Sequence, residues 1–370
     1  MPKWGLSMTE ATLTTWRKSV GDEFSEGEEL ADIETSKITG ALEAPFSGRL
    51  AKIVASPGDV ASIGALLAVA ADASVAASDI EDFVEHFQSS LKPKDAGEDE
   101  SIAVTALPVK VNGRDYRVNV FGPLSTNSVP IVLIHGFSSD INSWMLNIDA
   151  LKSVGSVVAL ELPGHGASNK DVLSGSLTEL ADVLWQVLAS IGVTRCDLIG
   201  HSLGGSVAMR LALDHSKLVR SLILISPAGL PESSLNRDFT HGVAAARTYR
   251  QLAPVLRMLY ANPDLVTRQL VEDVLKFKRL DGADRALSLI AARMAQGDDF
   301  RSLAENLSKL PSTTVVFGDH DQVVERPRNE ALPSHWELLV VHAGHVPHIE
   351  NAQRVNELLT QALLKRSMQQ

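Results

Sequence analysis

The chain has 370 residues, 45% of them hydrophobic, with 34 basic and 45 acidic side chains and a formal net charge of −11. That is enough apolar material for one large domain and a small one, and a single cysteine, Cys196, excludes an intramolecular disulfide and suits a reducing compartment. Residues 1–72 carry 6 basic and 11 acidic groups, residues 73–100 carry 2 and 8, and the remainder is neutral, so nucleic acid is not an expected partner.

Met1-Pro2-Lys3-Trp4-Gly5-Leu6-Ser7-Met8 lacks an apolar core of signal-peptide length, and no run of 18 apolar residues follows it. The expectation is a soluble, cytoplasmic protein with no membrane partner. Residues 1–72 contain an internal repeat at an offset of 37: Gly21-Asp22, Gly27, Leu30 and Ala31 return as Gly58-Asp59, Gly64, Leu67 and Ala68. Gly-Asp turns alternating with short β-prone runs predict a small all-β sandwich with approximate twofold symmetry, and place Lys37 at the junction of the copies, on an exposed hairpin tip.

On Met8 with Glu10-Ala11, Val20-Gly21-Asp22, Glu34-Thr35-Ser36-Lys37 and Pro45-Phe46-Ser47-Gly48, this region resembles the lipoyl domain of the 2-oxoacid and acetoin dehydrogenase complexes. The resemblance implies lipoate attached covalently to Lys37. Biotin carriers share that fold but flank their lysine with methionines, and Ser36 and Ile38 argue against biotin.

Residues 73–100, rich in Ala, Ser and acids, read as a flexible acidic linker. Within it Ile80, Phe83, Val84 and Phe87 have helical spacing, consistent with either a docked helix or a frayed amphipathic turn. A flexible chain of that length has a root-mean-square span of roughly 30 Å, enough for a carrier to visit more than one site.

Residues 101–368 alternate strand-like and helical runs, the pattern of an α/β fold on a mostly parallel sheet. Candidate strands are 131–135, 157–161, 196–200, 222–226, 314–317 and 338–341, with helices over 177–191 and 351–365. Gly200-His201-Ser202-Leu203-Gly204 follows a strand and opens a helix, which would expose Ser202 on a sharp turn. His135-Gly136-Phe137, Leu162-Pro163-Gly164-His165-Gly166, Gly318-Asp319-His320-Asp321 and Ala343-Gly344-His345 each follow a strand. The order Ser202, Asp321, His345 resembles that of the α/β-hydrolases. In that reading Ser202 is nucleophile, His345 base and Asp321 acid, and the backbone amides of Phe137 and Leu203 form the oxyanion hole. Asp319 is a rival acid, with Asp298 and Asp299 more remote. His201 reads as a packed elbow side chain, and His342 and His348 as surface or packing residues. No metal ligands are assigned. A helical cap is expected at about 230–298. Its segment 237–294 carries ten basic and six acidic residues, which suits either attraction of an acidic carrier and coenzyme A phosphates or ordinary solvent-facing arginines.

The whole is therefore expected to be multidomain: a lipoyl-type sandwich, a flexible linker and an α/β-hydrolase domain with a helical cap. The sequence lacks the His-x-x-x-Asp-Gly ending of the usual lipoyl acyltransferase core and any recognisable peripheral-subunit-binding segment. A lipoyl unit fused to a hydrolase domain resembles the acetyltransferase components of some bacterial acetoin-cleaving systems. That resemblance implies transfer of an acetyl group from S-acetyldihydrolipoyl-lysine to coenzyme A. It also implies two partners, a thiamine-diphosphate-dependent acetoin dehydrogenase component and dihydrolipoamide dehydrogenase. Alternatives are a carrier-tethered thioesterase or esterase that ends in water, and a non-catalytic lipoyl carrier and docking subunit.

Overall fold

The computed structural model describes residues 10–25, 27–34, 39–44, 46–62, 65–91, 105–124 and 129–367. The chain divides into two compact units, Met1–Glu100 and Ser101–Gln370.

In the first unit, seven described strands form two sheets: β1 (Glu10–Trp16), β2 (Glu23–Phe24), β3 (Glu29–Glu34), β4 (Thr39–Glu43), β5 (Gly48–Ile53), β6 (Val60–Ser62) and β7 (Ala68–Ala70). One sheet runs β4-β3-β1-β6 and the other β2-β5-β7. Leu13, Ala31, Ile33 and Leu67 are buried in one cluster and Phe24, Leu30, Ala44 and Leu50 in a second, and Trp16 packs against both.

The sequence repeat has a structural counterpart in its two Gly-Asp turns. Gly21 (φ +101°) and Gly58 (φ +96°) take the left-handed conformation that glycine tolerates. In each turn the aspartate carboxylate accepts the amide three residues back, Ser19 to Asp22 at 2.8 Å and Ser56 to Asp59 at 2.7 Å. Each turn then bonds to the opposite copy: Gly21 donates to Leu50 and receives from it at Asp22, while Gly58 donates to Leu13 and receives from it at Asp59. Leu13 and Leu50 are themselves one repeat apart. β3 and β4 pair antiparallel with Glu34 opposite Thr39; Lys37, between them in sequence, lies outside the described residues.

The stretch read as a flexible linker contains a helix, α1 (Ala77–Leu91), on which Val84 is buried and Glu81 pairs with Lys52 of β5. Apolar residues at helical spacing gave α1 a face to bury. Residues 92–100 lie outside the described residues.

The second unit is built on an eight-stranded sheet. Its strands are β8 (Thr105–Val111), β9 (Arg114–Phe121), β10 (Ile131–Ile134), β11 (Val157–Leu160), β12 (Cys196–His201), β13 (Val219–Ile225), β14 (Thr313–Gly318) and β15 (Glu337–Val341). The order is β15-β14-β13-β12-β10-β11-β9-β8, parallel from β15 to β11 and antiparallel at β9 and β8. The β8–β9 hairpin was absent from the candidate strands. Its turn is Asn112-Gly113, both at positive φ, the residue pair that a tight hairpin favours.

Helices cover both faces: α2 (Ile148–Lys152), α3 (Leu177–Ser190), α4 (Leu203–Asp214), then α5 (Arg237–Ala245), α6 (Tyr249–Arg257), α7 (Arg268–Lys278), α8 (Ala283–Gln296) and α9 (Asp298–Ala304) between β13 and β14, and finally α10 (Pro347–Glu350) and α11 (Ala352–Ser367). Successive residues of β10 point to opposite faces. Val132 and Ile134 join a core with Leu180, Leu184 and Val207, whereas Ile131 and Leu133 join one with Leu358 and Leu359 of α11. Because both faces are covered, β10 and β11 are apolar throughout and fully buried. Among the described residues no helix is long and apolar enough to cross a membrane.

Leu133 is fully buried on β10. Leu133→Ala is expected to destabilise the second unit by about 2–5 kcal/mol, read as a lower urea midpoint with an unchanged slope.

Candidate active site

Gly200, Ser202 and Gly204 form the hinge between β12 and α4. A Cβ on Gly200 would lie 2.5 Å from the carbonyl oxygen of Gly204, and one on Gly204 would collide with the carbonyl oxygens of Ile134 and His135. Glycine is therefore required at both positions by close approach of backbone. Ser202 itself sits at φ +51° and ψ −118°, outside the helical region, and its amide donates to Ile225 O at 2.9 Å. This geometry presents the side chain at the C-terminal end of the parallel strands, where such sheets leave a crevice.

His345 Nε2 lies 2.8 Å from Ser202 Oγ, and His345 Nδ1 lies 3.0 and 2.9 Å from the two carboxylate oxygens of Asp321. Nδ1 therefore carries the proton toward Asp321 and Nε2 accepts from the serine hydroxyl. All three side chains are buried. Burial alone would raise the Asp321 carboxyl. The His345 ring and the amides of Val324 and Val323 outweigh that and hold it below the usual carboxylate range.

Leu203 is the first residue of α4, where an amide has no intrahelical acceptor. Among the described residues, neither the Leu203 nor the Phe137 N–H donates to a protein oxygen. His135 fixes the loop bearing Phe137: its Nδ1 lies 2.8 Å from Gly136 O, and its Nε2 accepts from the Leu162 amide at 3.1 Å. In the Leu162–Ser168 turn, buried Glu161 accepts from the amides of Ala167 and Ser168.

The rival assignments separate on geometry. Asp319 accepts from His320, His342 and the Ala343 amide, not from His345. Asp299 pairs with Arg293 and Asp298 with Arg301. His201 is buried at the elbow with Nε2 2.9 Å from His345 O, so it supports the backbone of His345. His348 is buried between Trp144 and His201, and His342 is exposed.

One positioning residue escaped the sequence reading. Glu350 accepts from Gly344 N at 2.6 Å, Ala261 N at 3.1 Å and Asn262 N at 2.8 Å, joining the His345 loop to the cap. His345 N also donates to Leu259 O at 2.7 Å. The only sequence signal was a carboxylate one helical turn beyond His345, too common to single out.

Over Ser202 lies a cavity of about 450 Å³. The cap contributes Phe239, Val243, Leu259, Tyr260, Val274 and Phe277, and the loop after β10 contributes Ser138, Ser139, Asp140 and Asn142. Among the described residues, its charged lining residues are Asp140 and Asp273, and no lysine or arginine lines it. Five of the ten basic residues in 237–294 are engaged in local ion pairs: Arg247 and Lys278 with Asp284, Arg268 with Glu272, Lys276 with Asp273, and Arg293 with Asp299. Those five serve the cap's own structure.

Comparison with known proteins matches residues 131–358 to the alpha/beta hydrolase family and residues 1–69 to a family described as biotin-requiring enzyme. The dihydrolipoyllysine-residue acetyltransferase component of the acetoin cleaving system from Pseudomonas putida is 38% identical, covering 99% of this chain and 98% of that protein. Its counterpart from Cupriavidus necator is 35% identical over 98% and 96%. A meta-cleavage product hydrolase from Pseudomonas fluorescens shares the fold of the second unit at 21% identity, with a TM-score of 0.62 over 71% of this chain and 98% of that one.

Burial holds His135 at about 4 and His165 and His348 at about 3, so all three stay neutral where free histidine would protonate. The unfolded chain binds protons at these sites below its ordinary histidine pKa of about 6.5 and the folded chain does not. Stability contributed by these groups is thus full above about pH 6.5. The calorimetric melting temperature is expected to be flat from pH 8 to 7 and to fall steadily from pH 6.5 to 4.

Proposed function

Because the chain belongs to the α/β-hydrolase family and, over nearly its whole length, to the dihydrolipoyllysine-residue acetyltransferase components of acetoin-cleaving systems, we propose that it carries acetyl groups on Lys37 and delivers them through Ser202 to coenzyme A. What supports this reading most directly is the hydrogen-bonded series Ser202–His345–Asp321 beneath an apolar cap, in a chain that also holds a lipoyl-type unit.

The residues present suit such a group. In sequence Lys37 falls between β3 and β4, whose ends pair, and the cap side of the cavity is mostly apolar, Asp273 excepted, as a hydrocarbon arm requires. A lipoyl group on Lys37 would supply a thiol that holds acetyl as a thioester. His345 Nε2 takes the Ser202 proton as Oγ attacks the acetyl carbon, while Asp321 stabilises the imidazolium and fixes its tautomer. The Phe137 and Leu203 amides receive the charge that develops on the carbonyl oxygen. When the carbon–sulfur bond breaks, His345 returns its proton to the departing sulfur and leaves acetyl-Ser202. His345 then takes the proton of the coenzyme A thiol, whose sulfur attacks acetyl-Ser202, and the proton passes back to Oγ as the ester opens. Exclusion of water by the cap keeps the acyl-serine from ending as acetate.

The acyl donor would be loaded by a thiamine-diphosphate-dependent acetoin dehydrogenase component, and the dithiol reoxidised by dihydrolipoamide dehydrogenase, in the cytoplasm. Asp140 and Asp273 in the cavity wall would repel coenzyme A phosphates, so the thiol end of coenzyme A enters while its nucleotide stays outside.

With chemically acetylated dihydrolipoyl protein and coenzyme A, acetyl-CoA is expected to form in excess of acetate. Ser202→Ala and Asp321→Asn are each expected to slow it by about 10³–10⁴-fold. Acetate as the main product would make the chain a thioesterase. Near-native acetyl-CoA formation by the serine variant would remove the acyl-serine step. Intact mass measurement on protein from lipoate-replete cells should show one lipoyl group, localised to Lys37.

A further inference from the structure

Beside the site, on the outer side of the same two loops, Asp319, His320 and His342 form a second cluster of chemistry-bearing groups that the acyl-transfer steps do not use. Asp319 and His320 follow β14, and His342 follows β15. The two histidines are 22 residues apart in sequence, so no ligand-spacing motif advertises them; pairing of the two strands brings them together. His320 Nδ1 lies 2.7 Å from Asp319 Oδ1, and His342 Nδ1 lies 3.1 Å from Asp319 Oδ2. The imidazoles face each other edge to face, with ring centroids 5.0 Å apart. One nitrogen from each ring and one carboxylate oxygen all lie within 4.8 Å of one another.

Main-chain bonds hold this arrangement in place. Asp319 N donates to Val341 O and His320 N to Ala343 O, both at 3.0 Å, and Ala343 N donates back to Asp319 Oδ1 at 3.1 Å. The three side chains are exposed, so an ion can reach them and the rings can adjust.

We propose that Asp319, His320 and His342 form a binding site for a divalent transition-metal ion of the zinc class, which fastens the loop carrying Asp321 to the loop carrying His345. Two imidazole nitrogens and one carboxylate oxygen are a donor set that suits zinc, nickel, cobalt or copper, and not magnesium or calcium, which prefer all-oxygen shells. Zinc bonds of about 2.0–2.2 Å in tetrahedral geometry separate the ligand atoms by roughly 3.3–3.6 Å. The present Nδ1-to-oxygen separations need only a small opening to admit the ion, with water in the fourth position. No proton need leave the protein: each neutral ring moves its hydrogen from Nδ1 to Nε2 and turns a lone pair to the metal. Asp319 lies two residues from Asp321 and His342 three from His345, so the ion would tie together the loops that supply acid and base without touching either.

The test uses the full chain with its dithiolane kept oxidised, because a reduced dithiol would itself bind zinc. Titration with zinc chloride at pH 7.5, followed by calorimetry and metal analysis, is expected to show one tight equivalent per chain and a rise in melting temperature. His320→Ala and His342→Ala are each expected to weaken binding at least about tenfold, the loss that even an outer-shell partner commonly brings. The double variant is expected to lose both the binding and the thermal shift. Cobalt(II) bound at the site should give the intense visible bands of a low-coordinate ion, absent in the double variant. The exposed position of both rings leaves the fold of these variants intact, checked by their metal-free melting temperatures. No binding tighter than millimolar overturns the proposal, and so does a tight equivalent that survives the double substitution. Neither result bears on acyl transfer, which is read separately with Ser202→Ala.

Discussion

Ser202 is held at a backbone angle that L-residues rarely adopt, and much of the second unit can be understood as what keeps it there. The strand before it and the helix after it cannot meet unless Gly200 and Gly204 lack side chains, because main-chain atoms occupy the space a Cβ would need. Its amide is tied to the neighbouring strand through Ile225. With the serine fixed, His345 has to be brought to it. That is done from three directions: Asp321 on the ring, His201 on its carbonyl, and Leu259 of the cap on its amide. Gly344 continues the pattern, since a Cβ there would lie 2.6 Å from Leu259 O. The cap is thus part of what places the imidazole, as well as a roof for the cavity.

That arrangement bears on the difference between transfer and hydrolysis. A cap that grips the His345 loop through Glu350 and Leu259 cannot swing far without disturbing the base. The cap's net positive charge reads differently once its ion pairs are seen. Arg247 and Lys278 share Asp284, and Lys278 also donates to the carbonyls of Val243 and Ala244, so these cations brace α5 against α7 and α8.

Legibility followed sequence distance. The elbow could be read because the chemistry and the glycines that permit it are adjacent, and because each partner loop follows a recognisable strand. Asp319 and Asp321 are alike in sequence context and differ in direction: Asp319 turns outward to His320 and His342, whereas the Asp321 side chain is buried against His345. His201 was taken for packing, and its bond to the His345 carbonyl was invisible because the partners are 144 positions apart. Glu350 was missed for a related reason: the Ala261 and Asn262 amides that donate to it lie on the cap, remote in sequence. The β8–β9 hairpin is the opposite case. Asn112-Gly113 was a usable local signal, and attention to the parallel core passed over it. In the first unit, the repeat foretold a twofold sandwich, and the apolar spacing of the linker is realised as helix α1, with Val84 buried and Phe83 exposed.

The exchange of bonds between the two Gly-Asp turns makes each half of the small sandwich depend on the other. Beyond the Ser-to-Asp bond inside each turn, the further clasp comes from the other half: Leu50 bonds the turn at Gly21 and Asp22, and Leu13 the turn at Gly58 and Asp59. Cut at the midpoint, neither fragment would retain the contacts that lock its own bend. The small sandwich is thus clasped twice across its own approximate twofold axis, and separating the halves would release both bends at once.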